Sequence, residues 1–307
     1  MNRTLILANP VAGNGKVAKL LPQILDYCKS HSIEHDYKVS ECRGHLTKLA
    51  SEIPRDYDIV ISAGGDGTIN EIINGWQFNN KTMLAVLPIG SGNDFPRNVG
   101  MNGSLTANLD SIFAPNRKTS SVDIGKLEYR TNGFETFTSR LFINSMGIGF
   151  DAQVASINQN HKALKGISGY ILSVLKSLIS MKVLEIDAEI DGIKVNGRKL
   201  IVTVANSKTT GGGFYLTPNA EIDDNVFDIA LVDDVSRMTL LQKLPLAILN
   251  KTDKVKEITV HKVKSCKISI KDGYFLHTDG ELLSDKANYV EISILPEKIK
   301  VITRQPK

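Results

Sequence analysis

Along the first third of the chain, short β-branched runs alternate with stretches whose apolar residues recur every three or four positions, the pattern of strands alternating with helices. Residues 3–8 predict a first strand, 16–30 a helix, 34–40 a second strand and 44–53 a second helix. The run Asp58-Ile59-Val60-Ile61-Ser62-Ala63 is almost continuously apolar, as a buried parallel strand should be, and Thr68 to Asn74 returns to helical spacing. Met83-Leu84-Ala85-Val86-Leu87 predicts another buried strand. From about residue 122 the character changes. Segments such as 138–144, 186–190 and 200–205 are short and alternating, which predicts an antiparallel domain. One helix is expected to interrupt it, His161 to Lys182, with Leu164, Ile167, Ile171, Val174, Leu175 and Leu178 at helical spacing and lysines 162, 165, 176 and 182 elsewhere. Such a stripe more often packs on a core than lies on an anionic membrane.

Three predicted strands of the first third run into glycine-bearing turns. Leu5-Ile6-Leu7-Ala8 leads to Asn9-Pro10-Val11-Ala12-Gly13-Asn14-Gly15-Lys16, the strand ending at Ala63 leads to Gly64-Gly65-Asp66-Gly67-Thr68, and Leu87 leads to Pro88-Ile89-Gly90-Ser91-Gly92-Asn93-Asp94-Phe95. Glycine lets backbone turn tightly and approach an anion, and a following helix points N–H groups and its positive dipole end at it. Asp66 beside a phosphate requires a divalent cation, which points to a nucleotide with Mg²⁺. In an open parallel sheet, loops at strand C-terminal ends converge on one crevice. The first turn is not a P-loop, because Pro10 and Val17 stand where that motif needs glycine and Ser or Thr, and it lacks the three-glycine dinucleotide fingerprint.

The three blocks, in this order and spacing, resemble those of the diacylglycerol kinase catalytic domain, in its soluble bacterial lipid kinase branch, similar to sphingosine kinases. The resemblance continues through Gly211-Gly212-Gly213-Phe214, Pro218-Asn219-Ala220, Asp223-Asp224-Asn225-Val226-Phe227-Asp228 and His277-Thr278-Asp279-Gly280-Glu281, and so covers nearly the whole chain. It implies an α/β, phosphofructokinase-like N-terminal domain (1–122, with a last strand near 298–303 returning to it) and an antiparallel β-sandwich domain (123–297).

The resemblance also implies roles. Asn9, Gly13, Ser40, Gly64, Gly65, Asp66, Gly67, Thr68, Asn70 and Ser91 would contact ATP, with serines 40 and 91 where many relatives carry threonine. Asp279, Glu281 and Asp66 would be the catalytic carboxylates: Asp279 as first choice for the base, the other two organising Mg²⁺ around the phosphates. The Asp224 side chain and the carbonyls of Glu221 and Val226 would hold a structural Mg²⁺, although Asn225 replaces the usual glycine; Asn tolerates the left-handed conformation. Asn93 and Asp94 would shape the acceptor side of the cleft, and Arg97 would meet a phosphate or a helix-end carboxylate.

Composition adds limits. The chain has 307 residues, 42% hydrophobic and 23% charged, with no apolar run near ~18 residues and no signal peptide. A net charge of +4 argues no nucleic-acid partner, and three scattered cysteines fit a reducing cytoplasm. Seven lysines between residues 251 and 271 would favour anionic lipid if they share a face, placing the protein peripherally at the inner membrane face; a solvated strand face is the plain alternative. His31-Ser32-Ile33-Glu34-His35 spells the inverted zinc-peptidase motif, but where a helix ends and a strand begins. The expected activity is ATP- and Mg²⁺-dependent phosphorylation of a lipid hydroxyl, first diacylglycerol giving phosphatidic acid, with the acceptor entering between domains. The alternatives are a sphingoid base or phosphatidylglycerol as acceptor, NAD kinase activity, or a non-catalytic nucleotide-binding regulator. Edge strands of the second domain could pair two copies.

Overall fold

The computed structural model describes residues 3–53, 56–78, 81–160 and 166–304. The chain divides into two compact units, Met1–Val122 with Glu297–Lys307, and Asp123–Pro296.

The first unit alternates strand and helix: β1 (Thr4–Ala8), α1 (Ala12–Ser30), β2 (His35–Val39), α2 (His45–Ser51), β3 (Ile59–Gly64), α3 (Asp66–Asn74), β4 (Met83–Pro88), α4 (Asp94–Asn98), α5 (Leu105–Phe113) and β5 (Lys118–Val122). Residues 13–15 of α1 are left-handed (φ 58°, 59° and 78°), so its regular part starts at Lys16, where the apolar spacing begins. Every residue of β1 and β3 is buried, which is why both read as apolar without alternation. Strand order is β2-β1-β3-β4 and then the last strand, Ile299–Thr303, which pairs parallel with β4 and antiparallel with β5. The chain winds from β1 to β2 on one side and to β3 on the other, so the topological switch lies between β1 and β3, where ligands of such sheets bind.

The second unit contains β6 (Gly125–Thr131), β7 (Thr138–Phe142), β8 (Ser145–Gly149), α6 (Phe150–Asn160), α7 (Gly166–Ser177), β9 (Leu184–Ile190), β10 (Ile193–Ala205), β11 (Phe227–Asp233), α8 (Arg237–Ile248), β12 (Ile258–Val263), β13 (Ser265–Thr278) and β14 (Glu281–Ile294); Ile299–Thr303 of the first unit is β15. All its strand pairs are antiparallel, in the order β12-β11-β10-β8-β13-β14-β6-β7. β9 and β8 both lie between β10 and β13, at opposite ends of those long strands. The register breaks between Lys199 and Ile201 and between Ser269 and Tyr274 mark the change, and the sheet folds over a core that includes Phe142, Met146, Val204, Phe227 and Ile268.

The helix expected from His161 begins outside the described residues; within them α7 runs to Ser177 and a 3₁₀ turn covers Leu178–Ser180. Val174 and Leu178 pack in a second apolar cluster with Phe150, Val154 and Val232. Leu175 and Ile179 are 45% and 79% exposed. α6 and α8 were not foreseen. α8 starts at Ser236, whose Oγ accepts the Thr239 N–H at 3.1 Å, and sets Leu240, Leu241 and Leu244 against the same cluster. His31 lies just beyond the end of α1 and His35 opens β2, so no helix carries the peptidase-like pair.

Ile61 is fully buried at the centre of β3. Ile61→Ala is therefore expected to lower unfolding free energy by about 2–5 kcal/mol, read as a drop in the urea midpoint without a change of slope.

Candidate active site

In the first unit the three glycine turns meet at the C-terminal ends of β1, β3 and β4. Gly13 has φ 58°, and a side chain there would overlap the Ile89 carbonyl. A Cβ on Gly65 would lie 2.9 Å from the Gly90 Cα, and one on Gly90 would collide with Gly65, so the second and third turns pack backbone on backbone. The Asn9 N–H donates to the Ala63 carbonyl at 3.1 Å and its Nδ2 to Thr68 Oγ1 at 3.3 Å, joining the first turn to the second. Asn93, left-handed at φ 55°, folds its amide back on Gly90, accepting its N–H and donating to its carbonyl at 2.9 Å each.

Asp66 opens α3, and its two carboxylate oxygens accept the N–H groups of Asp94 and Phe95 at 3.1 Å each. It is thus oriented by the third block while belonging to the second. Ser40 is buried beside the first turn, its N–H on the Ala8 carbonyl at 2.9 Å. Ser91 is exposed at the tip of the third turn, and Asn70 is buried one turn into α3. Arg97 bonds Asp94 at 2.9 Å and the Gly92 carbonyl at 3.0 Å, its carboxylate option.

In the second unit, Asp279 and Gly280 are the two central residues of the β13–β14 hairpin, at φ 49° and 81°, the left-handed pair that a two-residue type I′ turn requires and that Asp-Gly suits. The Asp279 carboxylate is buried and accepts three backbone N–H groups, from Ile143 at 3.2 Å and from Asn144 and Ser145 at 2.9 Å each. These donors fix it rigidly at the turn. Glu281, the first residue of β14, is half-buried.

The loop expected to hold structural Mg²⁺ has an internal cation. Lys262 lies opposite Asp228 in the β11–β12 pairing, and its Nζ is 2.9 Å from Asp228 Oδ2 and 2.9 Å from Asp224 Oδ2. Asp224 Oδ1 accepts the Val226 N–H at 3.3 Å. Burial pushes the Asp228 pKa up against the pull of Lys262; the Lys262 ammonium is itself disfavoured by burial, but its bonds to Asp224 and Asp228 outweigh this and raise its pKa. Lys262 thus meets the side chain of Asp224, one of the three residues expected to hold Mg²⁺, while the other two, Glu221 and Val226, were expected to offer backbone carbonyls. Asn225 is left-handed at φ 62°, and its N–H donates to the wholly buried Asp123 at 2.8 Å. Asp123 and Asp151 each stand alone in the sequence, outside any chemical spacing, which is why neither was expected at a site.

Phe150, Val154, Val174, Phe214, Leu240 and Leu244 help line an apolar pocket of the second unit, about 740 Å³ including the open space at its mouth, with Asp151 in its wall.

The family model of the diacylglycerol kinase catalytic domain matches residues 3–127, and that of the YegS C-terminal NAD kinase beta sandwich-like domain matches 144–303. The chain is 28% identical to the diacylglycerol kinase of Bacillus subtilis over 285 residues, 92% of this chain and 90% of that protein. It is 29% identical to that of Staphylococcus haemolyticus, over 90% and 81% of the two chains. The crystal structure of a diacylglycerol kinase from Bacillus anthracis shares the fold (TM-score 0.73, 23% identity, 99% and 97% covered), as does, more distantly, an NAD kinase from Archaeoglobus fulgidus in complex with ATP (TM-score 0.51, 12% identity, 99% and 94% covered).

Thermal midpoints with and without EDTA test whether the Asp224 loop also takes Mg²⁺: a fall in EDTA that Mg²⁺ reverses supports the metal, and an unchanged midpoint leaves Lys262 as the loop's cation. Lys262→Ala should cost about 1 kcal/mol, the half-exposed ammonium being partly screened by solvent.

Proposed function

The chain belongs to the diacylglycerol kinase family of lipid kinases, and on that premise we propose that it transfers the γ-phosphate of ATP to the hydroxyl of diacylglycerol, giving phosphatidic acid. The observation that carries the lipid half of this reading is the apolar pocket, whose lining is mostly hydrophobic side chains, as in sites that take an apolar ligand. An apolar chain entering it would leave water for contact with Val154, Val174 and Leu244, at about 25 cal/mol per Å² of apolar surface covered.

For the donor, the supporting geometry is the convergence of the three glycine turns at the switch between β1 and β3. Their backbone N–H groups and the start of α3 would receive the phosphates, and the close Gly65–Gly90 approach holds the cradle in place. The Mg²⁺ that accompanies ATP would supply charge neutralisation at the β- and γ-phosphates, and Asp66, oriented by the Asp94 and Phe95 N–H groups, is the acid we assign to hold it. Asp279, held by three N–H groups, is the residue we assign to receive the hydroxyl proton, and Glu281 stands beside it as the second acid of the turn.

Access to a bilayer-borne acceptor would follow from exposed apolar side chains near the pocket. Leu175, Ile179 and Met238 are 45%, 79% and 64% exposed, and Arg237 donates to the Ile179 carbonyl at 3.1 Å, joining the start of α8 to the end of the α7 segment. A peripheral, cytoplasmic enzyme fits this surface. No helix among the described residues is long and apolar enough to cross a membrane. Several lysines of 251–271 instead face acids: Lys262 as above, Lys267 with Glu291 at 3.5 Å and Lys271 with Glu185 at 3.3 Å. Pairing of two copies through sheet edges is part of the same proposal.

Radiolabelled γ-phosphate should pass from ATP to diacylglycerol in mixed micelles with the wild type, and Asp279→Asn and Asp66→Ala should each lower the rate at least a hundredfold. Absence of label from every lipid tested, with ATP bound, would remove the kinase reading. Ile179→Glu with Met238→Glu is expected to reduce co-sedimentation with anionic vesicles while sparing activity on micellar acceptor.

A further inference from the structure

Three neighbouring strands of the second unit carry one row of residues in register: Thr203 of β10, Gly147 of β8 and His277 of β13. The middle position has no side chain, and a Cβ there would collide with both the Asp151 carboxylate and the His277 ring. Asp151, at the start of α6, fills that gap. Its Oδ2 accepts the Thr203 hydroxyl at 2.8 Å and lies 3.4 Å from His277 Nε2, and its Oδ1 accepts the Ala152 N–H at 2.8 Å. His277 Nδ1 accepts the Gly280 N–H at 3.3 Å, so the ring proton sits on Nε2 and points at Asp151. One chain of hydrogen bonds thus runs from the pocket wall to the turn that carries Asp279.

Burying a carboxylate in an apolar wall is unfavourable unless it is well hydrogen-bonded, and an apolar residue at 151 would pack against Phe150 and Val154 without that penalty. Three donors are fewer than the roughly four acceptor positions of a carboxylate. Of the other charged side chains lining the pocket, Lys243 is partly exposed, and Glu257 is partly exposed but buries its Oε2 without a hydrogen-bond partner among the described residues, so the buried charge of the lining is carboxylate, with Asp151 the wholly buried acid. A negative group there welcomes a hydrogen-bond donor and repels a phosphate-bearing head.

We propose that Asp151 is a specificity-determining residue: it accepts a hydrogen bond from the hydroxyl-bearing head of a neutral acylglycerol and excludes lipids with an anionic head, while His277 positions it from the catalytic turn. This rests on the pocket being the acceptor site of the lipid kinase. Among the acceptors weighed from the sequence, it selects diacylglycerol over phosphatidylglycerol.

The test compares kcat/KM for diacylglycerol and phosphatidylglycerol in mixed micelles for the wild type, Asp151→Asn and His277→Asn, alongside the KM for ATP. Direct binding of a fluorescent diacylglycerol and of its succinylated, anionic derivative is measured on the same proteins. The wild type should favour the neutral lipid in both assays, and Asp151→Asn should narrow the preference by roughly ten- to a hundredfold with the KM for ATP unchanged. His277→Asn, which keeps Asp151 but loosens it, should fall between and covers the case of an unfolded Asp151 variant. An unchanged preference in Asp151→Asn, or a wild type that favours the anionic lipid, would overturn the proposal. A wild type that phosphorylates no lipid yet shows the Asp151-dependent binding preference would sink the kinase reading and leave this one standing.

Discussion

The parallel register of β1, β3 and β4 is the constraint on which the nucleotide side depends. Ala8 pairs with Ala63 and Ala63 with Leu87, so three strands end at one level and three turns leave it together. Side chains at Gly13, Gly65 or Gly90 would force those turns apart. Once the backbones touch, Asp66 can reach the N–H groups of Asp94 and Phe95, and a carboxylate of one block is aimed by another. For the proposed transfer, rigidity there would serve chemistry, because phosphoryl transfer relies on placement and charge more than on covalent participation.

The second unit uses a glycine differently. Gly147 leaves a gap in an antiparallel sheet, and the gap admits a carboxylate from a helix that follows directly on the same strand. The sheet's inner face makes an ordinary apolar core, whereas the cluster under α6, α7 and α8 is looser and opens as the pocket. Acidic groups are managed individually: Asp279 by three backbone donors, Asp228 by Lys262, Asp151 by Thr203 and His277. Each solution meets the same demand, that a buried charge be met by hydrogen bonds or an opposite charge.

The elements legible in the sequence were those whose signal is local. β3 was visible because a strand buried on both faces is apolar without alternation, and β9 because one buried face gives strict alternation. The start of α1 was visible only at Lys16, since 13–15 adopt a conformation that apolar spacing does not encode. α8 was missed. Its apolar residues serve a satellite cluster and a pocket and make no clean stripe, and Pro245 within it reads as a breaker. Lys262 was read as one of a run of surface charges, because nothing local reveals that it stands opposite Asp228.

The sequence by itself determined the two-part architecture, the three glycine turns and the Asp-Gly turn at 279–280, because each follows from the conformational limits of a few consecutive residues. Only the tertiary structure decided that Asp66 is aimed by the third turn, that Lys262 pairs with Asp224, and that Asp151 and His277 meet at a pocket. Those are pairings between residues 28 to 126 positions apart, set by strand register and by which side chains are absent, and short-range pattern carries no record of either.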